Sequence, residues 1–169
     1  PFKDSNYNPG IGLGRYIIVD NRLTGAIFLQ LEHESNGRDS LESRSTNWIG
    51  LSGKYFFSSN LAVSFKTTVP FMTGEGNSDL YDYRGTGYFT ADYKTSDNQW
   101  WLSGTYNLRK SVKDINLKFT AGYKISERFN QYVFGELYSG TGDSLLEYKR
   151  KEVQLRVGIC IKPDFYSVF

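Results

Sequence analysis

The chain consists of short segments in which apolar and polar residues alternate. In residues 26–35, one face carries an aliphatic row that ends in two polar residues: Ile27, Leu29, Leu31, His33 and Ser35. The opposite face carries Ala26, Phe28, Gln30, Glu32 and Glu34. Residues 152–161 alternate as strictly, with Val153, Leu155, Val157, Ile159 and Ile161 on one face. Alternation with a period of two predicts β-strands rather than helices.

Nine strands of this kind are predicted along the chain. They cover approximately residues 10–19, 26–35, 47–57, 61–71, 85–94, 99–109, 115–124, 129–138 and 152–161. Tight turns at 20–25, 58–60, 95–98 and 125–128 separate them from mostly longer loops at 36–46, 73–84 and 139–149, with a further connection at 110–113. Nothing repeats and no linker divides the chain, so we expect residues 1–169 to form a single domain.

The polarity of the two faces predicts the fold class. Charged residues such as Lys66, Lys118 and Arg156 occupy the face opposite the apolar rows, where a small soluble core could not hold them. An apolar outside, a polar inside, strands of about ten residues and alternating short and long connections are typical of outer-membrane proteins. The sequence therefore predicts an all-β fold, an antiparallel transmembrane β-barrel. We expect the interior charges, including Glu136, to form a polar network.

The odd strand count predicts that the barrel is incomplete. Nine antiparallel strands leave two open edges, whereas single-chain bacterial barrels have even numbers of strands. The chain also begins at Pro1 without a methionine. We therefore expect a chain truncated at its N-terminus, with at least one strand preceding Pro1.

Composition removes several classes of function. The net charge is only +2 and the basic residues are scattered, which argues against a nucleic-acid partner. The single cysteine, Cys160, excludes an internal disulfide and a cysteine-based metal cluster. No apolar run approaches 18 residues, so no transmembrane helix is predicted.

The candidate chemistry lies where the aliphatic row of residues 26–35 ends. His33 is the only histidine in the chain, and Ser35 lies two positions later on the same face. Such a pair suits a base and the serine nucleophile that it activates, and Asn47 on the next strand could orient the imidazole. Without a catalytic role, these residues would be a membrane-interface histidine and ordinary polar strand ends. A substrate would be whatever the aliphatic face contacts.

These residues closely resemble the active-site segment of the outer-membrane phospholipase A family. The resemblance rests on His33-Glu-Ser-Asn-Gly-Arg38, on Ser43-Arg-Ser45 and on Asn47, with the matching spacing from histidine to asparagine. Residues 1–9, residues 138–145 and the aromatic terminus Phe169 are also similar. The family's twelve-stranded barrel implies three strands before Pro1.

The resemblance implies a calcium-dependent enzyme that hydrolyses acyl esters of glycerophospholipids in the bacterial outer membrane, active as a homodimer and facing the outer leaflet. It implies Ser35 as nucleophile, His33 as base and Asn47 as the orienting residue. It also implies an oxyanion hole from the Gly37 N–H and a calcium-bound water. Calcium would be held by the carbonyls of Arg38 and Ser43 and by the Ser43 hydroxyl.

This chain departs from the family pattern at the calcium site. The aspartate usual two positions after the arginine is Ser40 here, and Asp39 lies one place earlier, so both are further candidates for metal binding. A serine that the partner subunit would contribute lies before Pro1. We expect Glu34, Asp39 and Glu42 to form a solvated loop face instead of binding metal directly.

Two alternative functions remain open from the sequence. The first is a catalytically silent barrel, either a porin or a structural protein. The second is a soluble β-barrel that binds a lipophilic ligand. Such a barrel requires an apolar interior, whereas the alternation predicts charged residues there. We expect Trp48, Trp100 and Trp101 to lie in aromatic belts at the membrane interfaces.

Overall fold

The computed structural model describes residues 5–109 and 114–162, and the predictions for Pro1, the 110–113 connection and Phe169 lie outside them. Nine antiparallel strands form one sheet in sequential order: β1 (Gly10–Val19), β2 (Arg22–Ser35), β3 (Ser45–Phe56), β4 (Leu61–Thr73), β5 (Gly87–Lys94), β6 (Trp100–Leu108), β7 (Ile115–Ser126), β8 (Phe129–Gly140) and β9 (Glu152–Ile161). All nine predicted strands are confirmed. Strand β2 begins four residues earlier than predicted.

The earlier start of β2 has a local cause. Asp20 and Asn21 both have positive φ, at 50° and 58°, and form a two-residue hairpin turn whose twist suits the flanking strands. Thr24 lies at a shift in the β1–β2 register, and its hydroxyl donates to the Ile17 carbonyl at 3.0 Å. The Thr24-Gly25 pair therefore belongs to a β-bulge inside the strand rather than to the turn.

The two faces of the sheet have the predicted polarity. The apolar row of β9 points outward, with each side chain more than two-thirds exposed: Val153, Leu155, Val157, Ile159 and Ile161. On β2 the same outer face carries Ile27, Leu29 and Leu31, while Glu32 and Glu34 are buried on the inner face. Between residues 5 and 162, apart from 110–113, no helix is long and apolar enough to cross a membrane.

The inner face carries a network of charges, as predicted. The Lys66 ammonium contacts both carboxylate oxygens of Glu32, at 2.7 and 2.5 Å. On the same face, between β8 and β9, the Arg156 guanidinium contacts Glu136 at 2.8 Å. Each of these ions has an opposite charge as its neighbour, which offsets the cost of removing it from water.

The belt prediction is wrong for two of the three tryptophans. Trp48 is buried on the inner face, where its indole N–H donates to Glu32 at 3.0 Å. The indole N–H of Trp101 likewise donates to Asp92, at 2.9 Å. Their positions in the alternation point both residues inward, and each indole meets a carboxylate there. Trp100 faces outward against Tyr123.

The loop predicted at 73–84 contains helical structure. A 3₁₀ turn at Glu75–Asn77 precedes a short helix, α1 (Leu80–Arg84). Leu80 is buried against Leu145 and Tyr148 of the loop that follows β8. A helix of five residues is too short to show the periodicity that sequence patterns reveal. This contact places α1 at the end of the sheet where β2 ends.

Candidate active site

His33 and Asn47 form a cross-strand pair on the outer face. They lie directly opposite each other in the β2–β3 register, and the Nδ1 atom of His33 lies 2.9 Å from the Oδ1 atom of Asn47. An amide oxygen only accepts, so this contact favours the tautomer in which Nδ1 carries the proton. The unprotonated Nε2 atom is then the basic nitrogen.

Ser35 lies two residues beyond His33 on the same face. Its backbone is held by two hydrogen bonds to Tyr7. The Tyr7 N–H donates to the Ser35 carbonyl at 2.8 Å, and the Ser35 N–H donates to the Tyr7 carbonyl at 2.9 Å. The His33 N–H donates to the Pro9 carbonyl at 2.9 Å. Residues 7–9 thus continue the pairing of β1 and fix the end of β2 as extended strand.

The outer face next to these residues is apolar. Leu29 and Leu31 on β2 are more than half exposed, and Ile49 on β3 lies directly opposite Leu31. His33, Ser35 and Asn47 are each partly buried at the end of this aliphatic surface. The structure therefore brings the three residues to one face and joins two of them by a hydrogen bond.

A compact loop of residues 36–44 follows Ser35 and is organised by Asn36. The buried Asn36 amide donates to the Glu42 carbonyl at 2.8 Å, and its oxygen accepts from the Arg44 N–H at 2.9 Å and the Arg38 N–H at 3.3 Å. Asn36 was not among the predicted site residues. The Asn-Gly pair at 36–37 is a turn signal that could have identified it.

Gly37 has the backbone geometry expected of a turn. Its φ is +66°, a region that favours glycine, and a Cβ atom there would lie 2.7 Å from the Tyr7 ring. Within the described ranges, no protein acceptor takes the Gly37 N–H. This donor lies two residues after Ser35.

The loop also contains the predicted calcium ligands. The Ser43 carbonyl accepts from the Arg44 guanidinium at 2.8 Å, and the same nitrogen donates to the Leu41 carbonyl at 2.9 Å. Asp39 and Ser40 begin a 3₁₀ turn at Ser40–Glu42 and are exposed, while Arg38 forms an ion pair with Glu42. No cluster of three or more His, Cys, Asp or Glu residues occurs in the described part of the chain.

This donor set suits calcium, because carbonyl and hydroxyl oxygens are ligands that the ion prefers. The guanidinium at Ser43 shows that this carbonyl already binds a positive charge in the structure. A calcium ion would have to share the oxygen with Arg44 or displace it.

The prediction of a solvated Glu34 is wrong. Its side chain is only 1% exposed, and its carboxylate binds Arg84 of α1 and the Asn6 amide, the latter at 2.5 Å. Glu34 points inward by its position in the alternation, and no local pattern indicates that an arginine 50 residues later contacts it there. Glu42 is exposed, as expected.

The sequence and the fold both match known proteins. The family model described as Phospholipase A1 matches residues 1–161. Phospholipase A1 of Escherichia coli K12 is 27% identical over 98% of this chain and 56% of its own length. A putative phospholipase A1 of Neisseria meningitidis serogroup B is 29% identical over 94% of this chain and 42% of its own length. The chain thus spans about half the length of the curated relatives it matches.

Solved structures confirm the outer-membrane β-barrel fold. Outer membrane phospholipase A from Escherichia coli aligns with a TM-score of 0.84 and 23% identity, over 98% of this chain and 63% of that one. A Salmonella typhi outer membrane phospholipase, a dimer with bound calcium, aligns with a TM-score of 0.83 and with the same identity and coverage. The apolar outer face fits the same bacterial outer-membrane location. The chain belongs to the phospholipase A1 family.

Proposed function

We propose that this protein is a phospholipase of the bacterial outer membrane that hydrolyses acyl ester bonds of glycerophospholipids. Its specificity would be of the A1/A2 and lysophospholipase type. The observation that carries the proposal is the His33–Asn47 hydrogen bond on the apolar outer face, with Ser35 on the same strand and face. Family membership supports the reaction class.

In the proposed reaction Ser35 is the nucleophile and His33 the general base. Asn47 accepts the Nδ1–H of His33, so that Nε2 removes the Ser35 proton as Oγ attacks the ester carbonyl. The tetrahedral intermediate collapses to an acyl-enzyme, and His33 returns the proton to the departing alcohol. Water, deprotonated by His33, then attacks the acyl-enzyme, releases the fatty acid and restores Ser35.

The neutral Asn47 stabilises the charged imidazolium less than a carboxylate would, so stabilisation of the oxyanion is correspondingly important. The Gly37 N–H is the proposed protein donor to the oxyanion. The carbonyls of Arg38 and Ser43 and the Ser43 hydroxyl would hold calcium, with Asp39 and Ser40 as further candidates. A bound calcium ion would supply positive charge at the developing oxyanion.

The outward-facing position of the site supports membrane phospholipids as the substrate class. Leu29, Leu31 and Ile49 present an aliphatic surface along which acyl chains can lie beside the site. The site lies at the end of the sheet with the longer loops, which in outer-membrane barrels is the outer end. The ester of an outer-leaflet phospholipid therefore reaches Ser35 without leaving the bilayer. The Salmonella relative is a dimer, and we propose that this protein also acts as a homodimer.

Replacing the proposed nucleophile tests the reaction. Ser35→Ala should abolish hydrolysis of phospholipid in mixed detergent micelles, because it removes the attacking oxygen. Ser64→Ala, on the inner face of β4, should retain wild-type activity and serves as the matched control. Undiminished hydrolysis by a correctly folded Ser35→Ala protein would refute the mechanism.

Removing calcium tests the metal separately. A chelator should silence the wild-type enzyme, and added Ca²⁺ should restore hydrolysis. Direct calcium binding, measured by calorimetry, should weaken in Ser43→Ala, which lacks one proposed ligand. Full activity in the chelated sample would exclude the metal's role while leaving that of Ser35 intact.

A further inference from the structure

The inner side of the proposed catalytic strand β2 is attached to α1. Glu34 lies between His33 and Ser35 in the sequence and points to the opposite face, where it is almost completely buried. Its carboxylate forms an ion pair with Arg84 and also accepts from the Asn6 amide. This buried charge thus has two partners, one of them from the last residue of α1.

The neighbouring strand β3 is attached to the same helix. Thr46 precedes Asn47, lies directly opposite Glu34 and is 1% exposed. Its hydroxyl lies 3.2 Å from the Tyr81 hydroxyl and 3.3 Å from the Met72 carbonyl, to which it donates. Burial raises the pKa of Tyr81 above its ordinary value of 10, so the phenol stays protonated and can donate to Thr46.

The two attachments come from one side of the helix. Tyr81 and Arg84 are three residues apart, a spacing that places side chains on the same helical face. The Tyr81 ring also packs edge-on against Trp48, the next inward-facing residue of β3, with a centroid separation of 6.5 Å. One helical face therefore contacts the inward side chains on both strands that carry the proposed triad.

Other residues of α1 are hydrogen-bonded to parts of the sheet distant from β2 and β3. The Tyr83 carbonyl accepts from the Asn116 amide at 3.0 Å and from the Thr141 hydroxyl at 2.7 Å. The Asp82 carbonyl accepts from the Arg109 guanidinium at 3.0 Å. The helix therefore connects β2 and β3 to β7, to Arg109 just after β6 and to the loop after β8, and its position is set from both sides.

We propose that α1 positions the catalytic residues through contacts on the inner face of the sheet. Arg84 and Tyr81 are then positioning residues that do not touch substrate. The proposal rests on the function proposed above. Removing one partner of a buried ion pair leaves the other charge without compensation, so the end of β2 should shift or loosen. A misplacement of about 1 Å can cost roughly 100-fold in rate.

Arg84→Met tests the positioning role in the full-length protein. We expect kcat to fall about 10- to 100-fold with KM changed less than about twofold, because the lipid-binding face is untouched. The rate at which a serine-reactive fluorophosphonate labels Ser35 should fall in parallel. Arg84→Lys, which keeps the cation, should recover part of both losses.

Lys162→Met is the matched control, since it breaks an ion pair with Asp92 (3.8 Å between Nζ and Oδ1) at the opposite end of the sheet from α1. It should leave both measurements within about twofold of wild type. Wild-type rates in a folded Arg84→Met protein, or equal losses in both variants, would overturn the positioning role. If Arg84→Met does not fold, Tyr81→Phe decides: it removes one hydroxyl and should lower the labelling rate several-fold, and an unchanged rate would refute the proposal.

The same labelling experiment separates the two proposals. If the wild-type protein is not labelled at Ser35, the proposed function fails. If it is labelled at Ser35 and Arg84→Met is labelled equally fast, only the role of α1 fails.

Discussion

At the scale of single residues, the alternation of side chains explains the candidate site. His33, Ser35 and Asn47 fall on the outer face because each lies an even number of positions from the aliphatic residues of its strand. The β2–β3 register then places His33 opposite Asn47, within hydrogen-bonding distance. A fixed hydrogen-bond partner lets an imidazole act as a base in one tautomer.

Asn47→Ala should lower kcat by about 10- to 100-fold, less than the loss of a carboxylate partner, because the neutral amide orients the ring without a full charge. KM for phospholipid in mixed micelles should change little. Asn107→Ala, on the inner face of β6, is the control and should behave as wild type. An Asn47→Ala enzyme with undiminished kcat would show that His33 does not depend on this bond.

Residue positions could be predicted from the sequence only where local alternation decides them. The facing of His33, Ser35 and Asn47 needed nothing beyond the strand period. The burial of Glu34 was missed because it depends on an ion pair with Arg84, a residue distant in the sequence that contacts Glu34 only in the folded protein. The role of Arg44 at the Ser43 carbonyl was also missed, since the sequence does not show how the loop closes.

At the scale of elements, strands were predictable and the structure inside loops was not. Each strand extends over eight or more residues, which is long enough for a repeating pattern of side chains to be recognised. The helix α1 has five residues, and its stability comes from contacts with distant segments such as Leu145 and Tyr148. Short helices of this kind are stabilised mainly by tertiary packing, which local sequence does not encode.

The contact between α1 and the loop after β8 should depend on pH. Hydrogen bonds from Lys149 and Tyr148 hold the pKa of the Asp79 carboxyl below its ordinary value of 3.8. A lowered carboxyl pKa contributes stability above pH 3.8 that is lost as the pH falls through the folded-state value. As the pH falls below 3.8 toward the folded-state pKa, we therefore expect residues 141–149 to detach from α1 more often.

Hydrogen exchange of residues 141–149, corrected for intrinsic rates, measures this detachment. Asp79→Asn should raise exchange there at neutral pH, whereas Asp97→Asn, in the turn at the opposite end of the sheet, should not. Equal protection of the loop in wild type and Asp79→Asn would contradict the assigned contact.

At the scale of the whole molecule, the fold is reversed in polarity relative to a soluble protein. The outer face is apolar and the inner face holds paired charges such as Glu32 and Lys66. This arrangement opposes the soluble lipophile-binding alternative, which requires an apolar interior. The helix α1 also reaches from Glu34 on β2 to Asn116 on β7 over the inner face, where an open porin would need a channel.

Charge substitutions on β9 test this polarity. Leu155→Arg, on the outer face, should destabilise the membrane-inserted protein by about 2–4 kcal/mol if it lies near the bilayer centre. Gln154→Glu, on the inner face beside the Arg156 guanidinium, should cost less than about 1 kcal/mol. Unfolding of the protein from phospholipid vesicles in urea gives both free energies. Equal losses would contradict the assignment of the two faces.

The most direct test of the catalytic assignment is to identify which residue a serine-reactive fluorophosphonate modifies in the active protein. Peptide mass spectrometry of the protein labelled in calcium-containing phospholipid vesicles should find the adduct on Ser35. Hydrolysis should be lost in proportion to labelling, and His33→Ala should abolish both. Hydrolysis that persists when Ser35 is fully modified, or an inactivating adduct on another residue, would contradict the account.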